Sequence, residues 1–256
     1  MALSDDELER YARHLVLREI GGVGQARIRA ARVLLIGAGG LGSPIALYLA
    51  AAGVGTLGLV DDDRVSLSNL QRQILFRSGD IGRLKTEAGK DALSALNPGS
   101  EIVCHSLRID RDSAGPLLAA YDLVVDGSDN FDTRFVVNDA AMAAGKTLVS
   151  AAVSEFDGQL ATFKGRPCYR CLNPAPPPAD TVRSCSEAGV LGAAAGVMGS
   201  LAALEVLKEI TGAGESLAGR LLIYEALSVR FRTLSLPPDP ACPCCGSGEK
   251  SELTGA

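Results

Sequence analysis

Val33-Leu34-Leu35-Ile36-Gly37-Ala38-Gly39-Gly40-Leu41-Gly42-Ser43-Pro44 decides how this chain folds. A short apolar run enters a turn fitting G-x-G-x-x-G. A helix-like stretch, Ser43 to Ala52, leaves it, with Pro44 where a first helical turn tolerates it. A strand–turn–helix of this kind directs backbone N–H groups at phosphate oxygens, so Gly37, Gly39, Gly40 and Gly42 are candidates for a phosphate cradle. A second strand, Thr56 to Val60, ends at Asp61, about 20 residues on, where a carboxylate takes a ribose hydroxyl. The default for this pattern is an NAD(P)-dependent oxidoreductase. The following stretch argues otherwise. Ser66-Leu67-Ser68-Asn69-Leu70-Gln71-Arg72-Gln73 and then Lys85 place two cations and several amides just beyond the strand tip. A nicotinamide needs an apolar slot, whereas a nucleoside triphosphate needs cations where charge moves as its bond breaks.

Outward from that turn, strand and helix signals alternate. Strands are predicted at Val33–Ile36, Leu57–Val60, Ile102–His105, Leu123–Asp126 and Leu148–Ala152. Helices are predicted at Ser43–Ala52, Leu84–Leu96, Asp112–Ala120 and Thr133–Ala144. This rhythm calls for an α/β, Rossmann-like, mostly parallel sheet with helices on both faces. Met1 to about Ala30 reads as two short helices broken at Gly21-Gly22. After Val153 an antiparallel strand, Glu155–Phe163, is followed by a knuckle at Gly165–Cys171. Next come a proline-rich loop, Asn173–Pro178, and a long Ala/Gly-rich helix from about Ala188 to Thr211. Two strands, Arg220–Ala226 and Val229–Leu236, complete the pattern. No repeat or charge-rich linker divides the 256 residues, so a single domain is expected, with N-terminal helices over 1–31 and a C-terminal part over 155–256.

Apolar residues at 47% and charged residues at 21% suffice for a sizeable core. The net charge of −5 and the lack of tryptophan speak against broad nucleic-acid binding. No signal-peptide core opens the chain, and the weakly charged stretch Ala188–Leu204 falls short of a membrane span, which points to a buried helix in a cytoplasmic protein.

Seven cysteines occur, at 104, 168, 171, 185, 242, 244 and 245. Cys168 and Cys171 form one C-x-x-C, and Cys242 and Cys245 another. Two such turns supply the closed tetrahedral set of a structural Zn²⁺ site; disulfides fit a reducing compartment less well, and a redox C-x-x-C needs only one pair. Cys244 is then a spare thiol and Cys104 a small buried hydrophobe. Cys185, in Arg183-Ser184-Cys185-Ser186-Glu187, has two readings: a thiol activated by a helix end and Arg183, or a space-filler between two capping serines. His14 and His105 lack the partners for a nucleophilic triad.

Taken together, Arg10-Tyr11-Ala12-Arg13-His14, the Gly37–Gly42 turn, Ser66–Gln73, Gly127-Ser128-Asp129-Asn130, Cys168–Cys171, Cys185–Gly189 and Cys242–Gly246 resemble the MoeB/ThiF family, bacterial relatives of ubiquitin-activating enzymes. The resemblance implies a homodimeric activating domain that uses ATP to adenylate the C-terminal glycine of a small ubiquitin-like sulfur carrier. It puts Gly40 against ATP and Asp61 on the ribose. Ser68, Asn69 and Arg72 lie with the phosphates, and Lys85 with the transferring phosphoryl group. Asp129, with Asn130 beside it, sits near Mg²⁺ and the carrier tail. Arg13 is implied to reach the triphosphate of the other protomer, and Cys185 to act, if at all, after the adenylate has formed.

Three features depart from the family pattern. Gly127-Ser128 replaces a more usual Cys-Thr, the proline-rich loop falls where relatives carry a crossover segment, and no rhodanese-like extension follows Cys245, which implies a separate sulfur-donor protein. Asp61-Asp62-Asp63 and Ile74-Leu75-Phe76 lean toward members supplying thiamine, Val65–Ser68 and Ile223–Ala226 toward molybdopterin. Besides the oxidoreductase, a non-catalytic zinc-stapled nucleotide-binding scaffold and a tRNA-modifying ATP-dependent dehydratase are the alternatives.

Overall fold

The computed structural model describes residues 3–178 and 189–246. Its centre is a sheet of eight strands: β1 (Arg32–Ile36), β2 (Thr56–Val60), β3 (Glu101–His105), β4 (Leu123–Asp126), β5 (Thr147–Ser154), β6 (Asp157–Phe163), β7 (Arg220–Glu225) and β8 (Arg230–Ser235). They lie in the order β3-β2-β1-β4-β5-β6-β7-β8. The first five are mutually parallel, and β6 to β8 continue the sheet antiparallel. The chain thus winds outward to β3, returns past β1 to β4, and winds the other way. That reversal opens a crevice beyond the carboxyl ends of β1 and β4.

Nine helices are described: α1 (Asp5–Arg10), α2 (Ala12–Leu15), α3 (Gly21–Ala30), α4 (Gly42–Ala52), α5 (Lys85–Leu96), α6 (Arg111–Ala119), α7 (Phe131–Ala143), α8 (Tyr169–Leu172) and α9 (Gly192–Thr211). Strand alternation sorts them into two layers. Val33 and Leu35 of β1 join one core with Ile28, Ile45, Leu49, Leu93 and Met198 from α3, α4, α5 and α9. Leu34 and Ile36 face the other core, with Leu118, Phe135 and Tyr169 from α6, α7 and α8. Burial on both faces is why β1, β2 and β4 read as unbroken apolar runs. β8, at the edge, is exposed along its length.

The N-terminus corrects the sequence expectation. Three helices are present, not two, and Gly21-Gly22 opens α3 instead of breaking the chain. Tertiary packing overrides glycine's poor propensity here: Ile28 is buried, and Arg27 Nη1 donates to the carbonyl of Thr211 at the end of α9 (2.6 Å). The knuckle likewise contains a single helical turn, α8. The long helix begins at Gly192, later than expected, because the preceding backbone bridges to Glu155. Glu155 N donates to Gly189 O (3.1 Å) and Leu191 N to Glu155 O (3.2 Å). The proline-rich stretch is free of helix and strand through Pro178, and none of the described helices is long and apolar enough to cross a membrane.

The crevice depends on backbone touching backbone. A methyl group added at Gly42 would lie 1.9 Å from the Gly37 carbonyl oxygen, while one at Gly40 would meet nothing closer than 3.4 Å. Gly42→Ala is therefore expected to destabilise the fold by about 3 kcal/mol or more, whereas Gly40→Ala should leave the urea midpoint near wild type. Equal midpoints for the two variants would contradict this account of the turn.

Candidate nucleotide site and cysteine cluster

The crevice holds a cavity of about 390 Å³ lined by Gly37, Gly39 and Gly40 of the first turn, Asp61 to Asp63, Arg72, Gln73, Lys85 and Gly127 to Asn130. The structure thus collects most of the expected nucleotide residues from five separate stretches of chain. Gly37 has φ +85°, which favours glycine, and α4 has no side-chain cap; Ser43 N–H is satisfied within the turn by Gly39 O (2.9 Å), and Pro44 carries no N–H.

Asp61 is tied into the glycine turn and the loop that follows it. Its Oδ2 accepts from the Ala38 backbone N–H inside the glycine turn (2.8 Å), and its Oδ1 accepts from Asp63 N–H (2.9 Å). Burial raises the pKa of this carboxyl, opposed by the charge of Lys85. An ionised carboxylate has about four lone-pair sites, so two remain open to further donors. Lys85 is 4% exposed; its Nζ lies 2.7 Å from Asp63 Oδ2 and 3.7 Å from Asp61 Oδ1. The cation is held at the cavity wall before any substrate arrives.

Arg72 lays its stem against Gly40, and its Nη1 donates to Ser68 O (3.1 Å). Ser66 and Asn69 cap the intervening turn reciprocally, and Ser68 Oγ sits 3.0 Å from Ser66 Oγ. Across the cavity Asp129 is exposed, and Asn130 caps α7 by accepting from Thr133 N–H (2.9 Å). Gln73, which sequence reasoning did not select, lines the cavity at 4% exposure with Oε1 unpartnered. It closes the Ser66–Gln73 stretch, but nothing in its spacing separates it from Gln71.

A second cavity of about 440 Å³ meets the first at Asp129 and Val153. It runs between Phe131 and Arg134 of α7, strands β5 and β6, and Tyr169 and Leu172 of the knuckle. Arg13 lines neither cavity and is exposed on α2. Its neighbours are anchored: Asn97 Nδ2 donates to the buried Tyr11 hydroxyl (2.9 Å), and His14 Nδ1 lies 2.9 Å from Gln25 Oε1. Cys185 lies outside the described residues.

The sulfurs of Cys168, Cys171, Cys242 and Cys245 all lie within 4.8 Å of one another. Burial pushes the Cys168 thiol up to about 12, whereas at Cys242 burial is outweighed by the N–H groups of Cys245 and Cys244, leaving it at about 7. Four such thiols ionise together only around a cation. Asp239 N–H donates to Cys171 Sγ (3.4 Å) and Cys245 N–H to Cys242 Sγ (3.5 Å), the support that ligating sulfurs commonly receive. The donor set fits one tetrahedral divalent ion with no open position. Cys244 stands outside the quartet, as expected, with the Asn138 amide 3.7 Å from its sulfur. Cys104 is half-buried and donates to Thr86 O (3.2 Å).

A doubly wound sheet with a glycine cradle and cations at its switch point defines a nucleotide-binding α/β protein. The ThiF family model matches residues 11–244, and the chain belongs to that family. It is 48% identical over 253 residues to the sulfur carrier protein adenylyltransferase of Thermus thermophilus, across 96% of this chain and 93% of that protein. It is 48% identical over 248 residues to the probable adenylyltransferase/sulfurtransferase MoeZ of Mycobacterium tuberculosis, covering 94% of this chain but only 63% of that longer protein. In fold it matches the crystal structure of Escherichia coli MccB with ATP at a TM-score of 0.78, over 93% of this chain and 74% of that one, at 24% identity.

Stripping the cysteine cluster of metal, or replacing Cys242 by Ser, is expected to lower thermal stability by at least 2 kcal/mol, or about 4–8 °C at this chain length. Differential scanning calorimetry with and without a chelator is the measurement, and an unchanged melting point would refute a structural metal.

Proposed function

We propose that this chain uses ATP to adenylate the C-terminal glycine of a small ubiquitin-like sulfur carrier and releases pyrophosphate, for sulfur transfer in molybdopterin or thiamine synthesis. The observation that carries the reading is the junction at Asp129. On one side lies a cradle with Arg72 and Lys85, on the other a cavity of about 440 Å³ between α7, β5, β6 and the knuckle, which we assign to the carrier's C-terminal end. The names of the relatives above support it, and nothing in them favours an oxidoreductase.

The chemistry asked of the site is positioning and charge. A carrier carboxylate oxygen attacks the α-phosphorus in line; the new O–P bond forms as the bond to the β-phosphate oxygen breaks, and pyrophosphate leaves. No proton need move, which agrees with the absence of a histidine among the described residues lining the cavity. Lys85, already paired with Asp63, turns toward the α-phosphoryl oxygens, and Arg72 answers the charge gathering on the leaving group. Asp61 keeps the glycine turn in shape while taking the ribose. Mg²⁺, when bound, would neutralise the triphosphate, and Asp129, with Asn130 beside it, would hold it. Zn²⁺ is the ion we assign to Cys168, Cys171, Cys242 and Cys245, with a structural role. Arg13 completes the site across a homodimer, and a separate protein donates sulfur.

Exchange of radiolabelled pyrophosphate into ATP should require a carrier ending in Gly-Gly. It should fall by roughly 10²–10³ in Arg72→Ala, Lys85→Ala or Asp129→Ala and stay near wild type in Cys185→Ala, because no thiol is needed before the adenylate exists. Loss of exchange in folded Cys185→Ala alongside activity in Lys85→Ala would reverse these roles. For the dimer, mixing Arg13→Ala with Asp129→Ala subunits should restore partial exchange through one intact site per heterodimer. No recovery after demonstrated subunit exchange would place Arg13 outside the site.

A further inference from the structure

Lys85 is a cation in a place that suits one poorly. It is the first residue of α5, whose N-cap, Leu84, offers no side-chain hydrogen bond, and a helix N-terminus disfavours positive charge. Its side chain is 6% exposed, so little water reaches the ammonium. Two carboxylates answer it, and they are held differently. Asp61 is committed to the backbone: Oδ2 accepts from Ala38 N–H and Oδ1 from Asp63 N–H, and Oδ1 stays 3.7 Å from Lys85 Nζ. Asp63 stands closer, with Oδ2 2.7 Å from Nζ. Its main chain is pinned on both sides, the N–H donating to Asp61 and the carbonyl accepting from Lys85 N–H (3.0 Å). Its side chain is 69% exposed and, among the described residues, bonds to Lys85 alone. Rotation about the side-chain bonds of Asp63 would release its carboxylate into water without moving the loop.

We propose that Asp63 is a placeholder counter-ion: it holds the Lys85 ammonium while the cavity is empty and yields it to a nucleotide phosphate when one enters. The proposal rests on the functional reading above. A buried ammonium needs an anionic partner, and a carboxylate and a phosphoryl oxygen both serve. Asp63 and Lys85 line the same cavity, so the exchange of one anion for the other happens at the nucleotide site itself. Asp61 cannot take this part, because leaving Lys85 would also release the glycine turn at Ala38. The exchange has a thermodynamic consequence. The ion pair stabilises the empty protein, and an entering nucleotide must break it, so the contact that favours the fold opposes binding. Asp63 has already left Lys85 in both the bound state and the transition state, so it acts on affinity and not on the chemical step.

Asp63→Asn keeps the size of the side chain and removes its charge. Calorimetric titration with Mg²⁺ and an ATP analogue bridged by a methylene between its α- and β-phosphates should show binding about tenfold tighter than in wild type, as for one half-exposed ion pair no longer broken. In pyrophosphate exchange, KM for ATP should fall with kcat unchanged. Without nucleotide the variant should melt about 2–4 °C lower, and saturating analogue should close the gap. An aspartate with a structural role alone would lower the melting temperature and leave affinity where it was. In a Lys85→Met background the same substitution should tighten binding by less than about threefold, the remainder of long-range repulsion in water. An equal gain there would reduce Asp63 to a repelling charge and overturn the proposal. Unchanged binding in Asp63→Asn would overturn it too, as would weaker binding, which would make Asp63 a nucleotide contact. Asp63→Ser decides the matter by the same readouts if the asparagine variant does not fold. A wild-type protein that binds the analogue but exchanges no pyrophosphate with any Gly-Gly carrier would sink the adenylation reading alone, and the affinities would still judge Asp63. Failure of wild type and variant alike to bind the analogue would overturn both.

Discussion

Two loops that leave the sheet in opposite directions must cross within van der Waals contact, and the rest of the site follows from that crossing. The chain after β1 turns through Gly37 into α4, and the chain after β4 turns through Gly127 into α7. Gly37 lies against the Gly127 backbone, and Gly127 against the amide of Gly42. A Cβ added at Gly37 or Gly127 would meet the facing loop at 3.2–3.3 Å, so a neighbour would have to give by a few tenths of an ångström. Because they meet, a cradle on one helix N-terminus and the Asp129 loop at the start of another share one cavity. The parallel sheet supplies the directions, and the glycines allow the approach.

The electrostatics are arranged with equal economy. Lys85 is buried, yet its charge has a partner in Asp63 and a second carboxylate neighbour in Asp61. Asp61 in turn grips the glycine turn through Ala38. The lysine that would meet a phosphate and the loop that would cradle it are thus linked through one carboxylate. A site of this kind needs little rearrangement when charge develops, and preorganisation of that sort is where electrostatic catalysis gains most.

Much of this was legible in the sequence because the signals were local. Apolar runs bounded by turns marked β1, β2 and β4, and paired C-x-x-C spacings marked a quartet that the fold brings within one coordination sphere. What was not legible depends on partners distant in sequence. Gly21-Gly22 looks like a break until α9 is seen to cover α3. The late start of α9 follows from backbone bridges to Glu155, which no propensity encodes. Gln73, Arg134 and Tyr169 carry no motif of their own: each is ordinary in its local stretch, and each is buried against residues from elsewhere. The strand order, which creates the crevice, is likewise a property of the whole chain, although the alternation of elements narrows it to a few choices.

The distribution of unsatisfied polar atoms makes the same point from energetics. Several buried polar groups of the C-terminal part and around the N-terminal helices are paired. Glu205 accepts from Thr162 Oγ1 and Leu217 N–H, Asn97 donates to Tyr11 and Ala50, and Gln25 donates to Ala52 O. Among the described residues, the buried side-chain atoms without a partner are Ser43 Oγ, Gln73 Oε1, Asp126 Oδ2 and Ser128 Oγ. Gln73 and Ser128 line the cavity, Ser43 lies in the first turn of α4, and Asp126 ends β4 just before the cavity-lining loop. Each such atom costs roughly 1–3 kcal/mol in the folded state. At Gln73 and Ser128 that cost falls where a polar ligand can offset it. The crevice is therefore the part of the molecule least complete by itself, which is the expected condition of a binding site and not of a core.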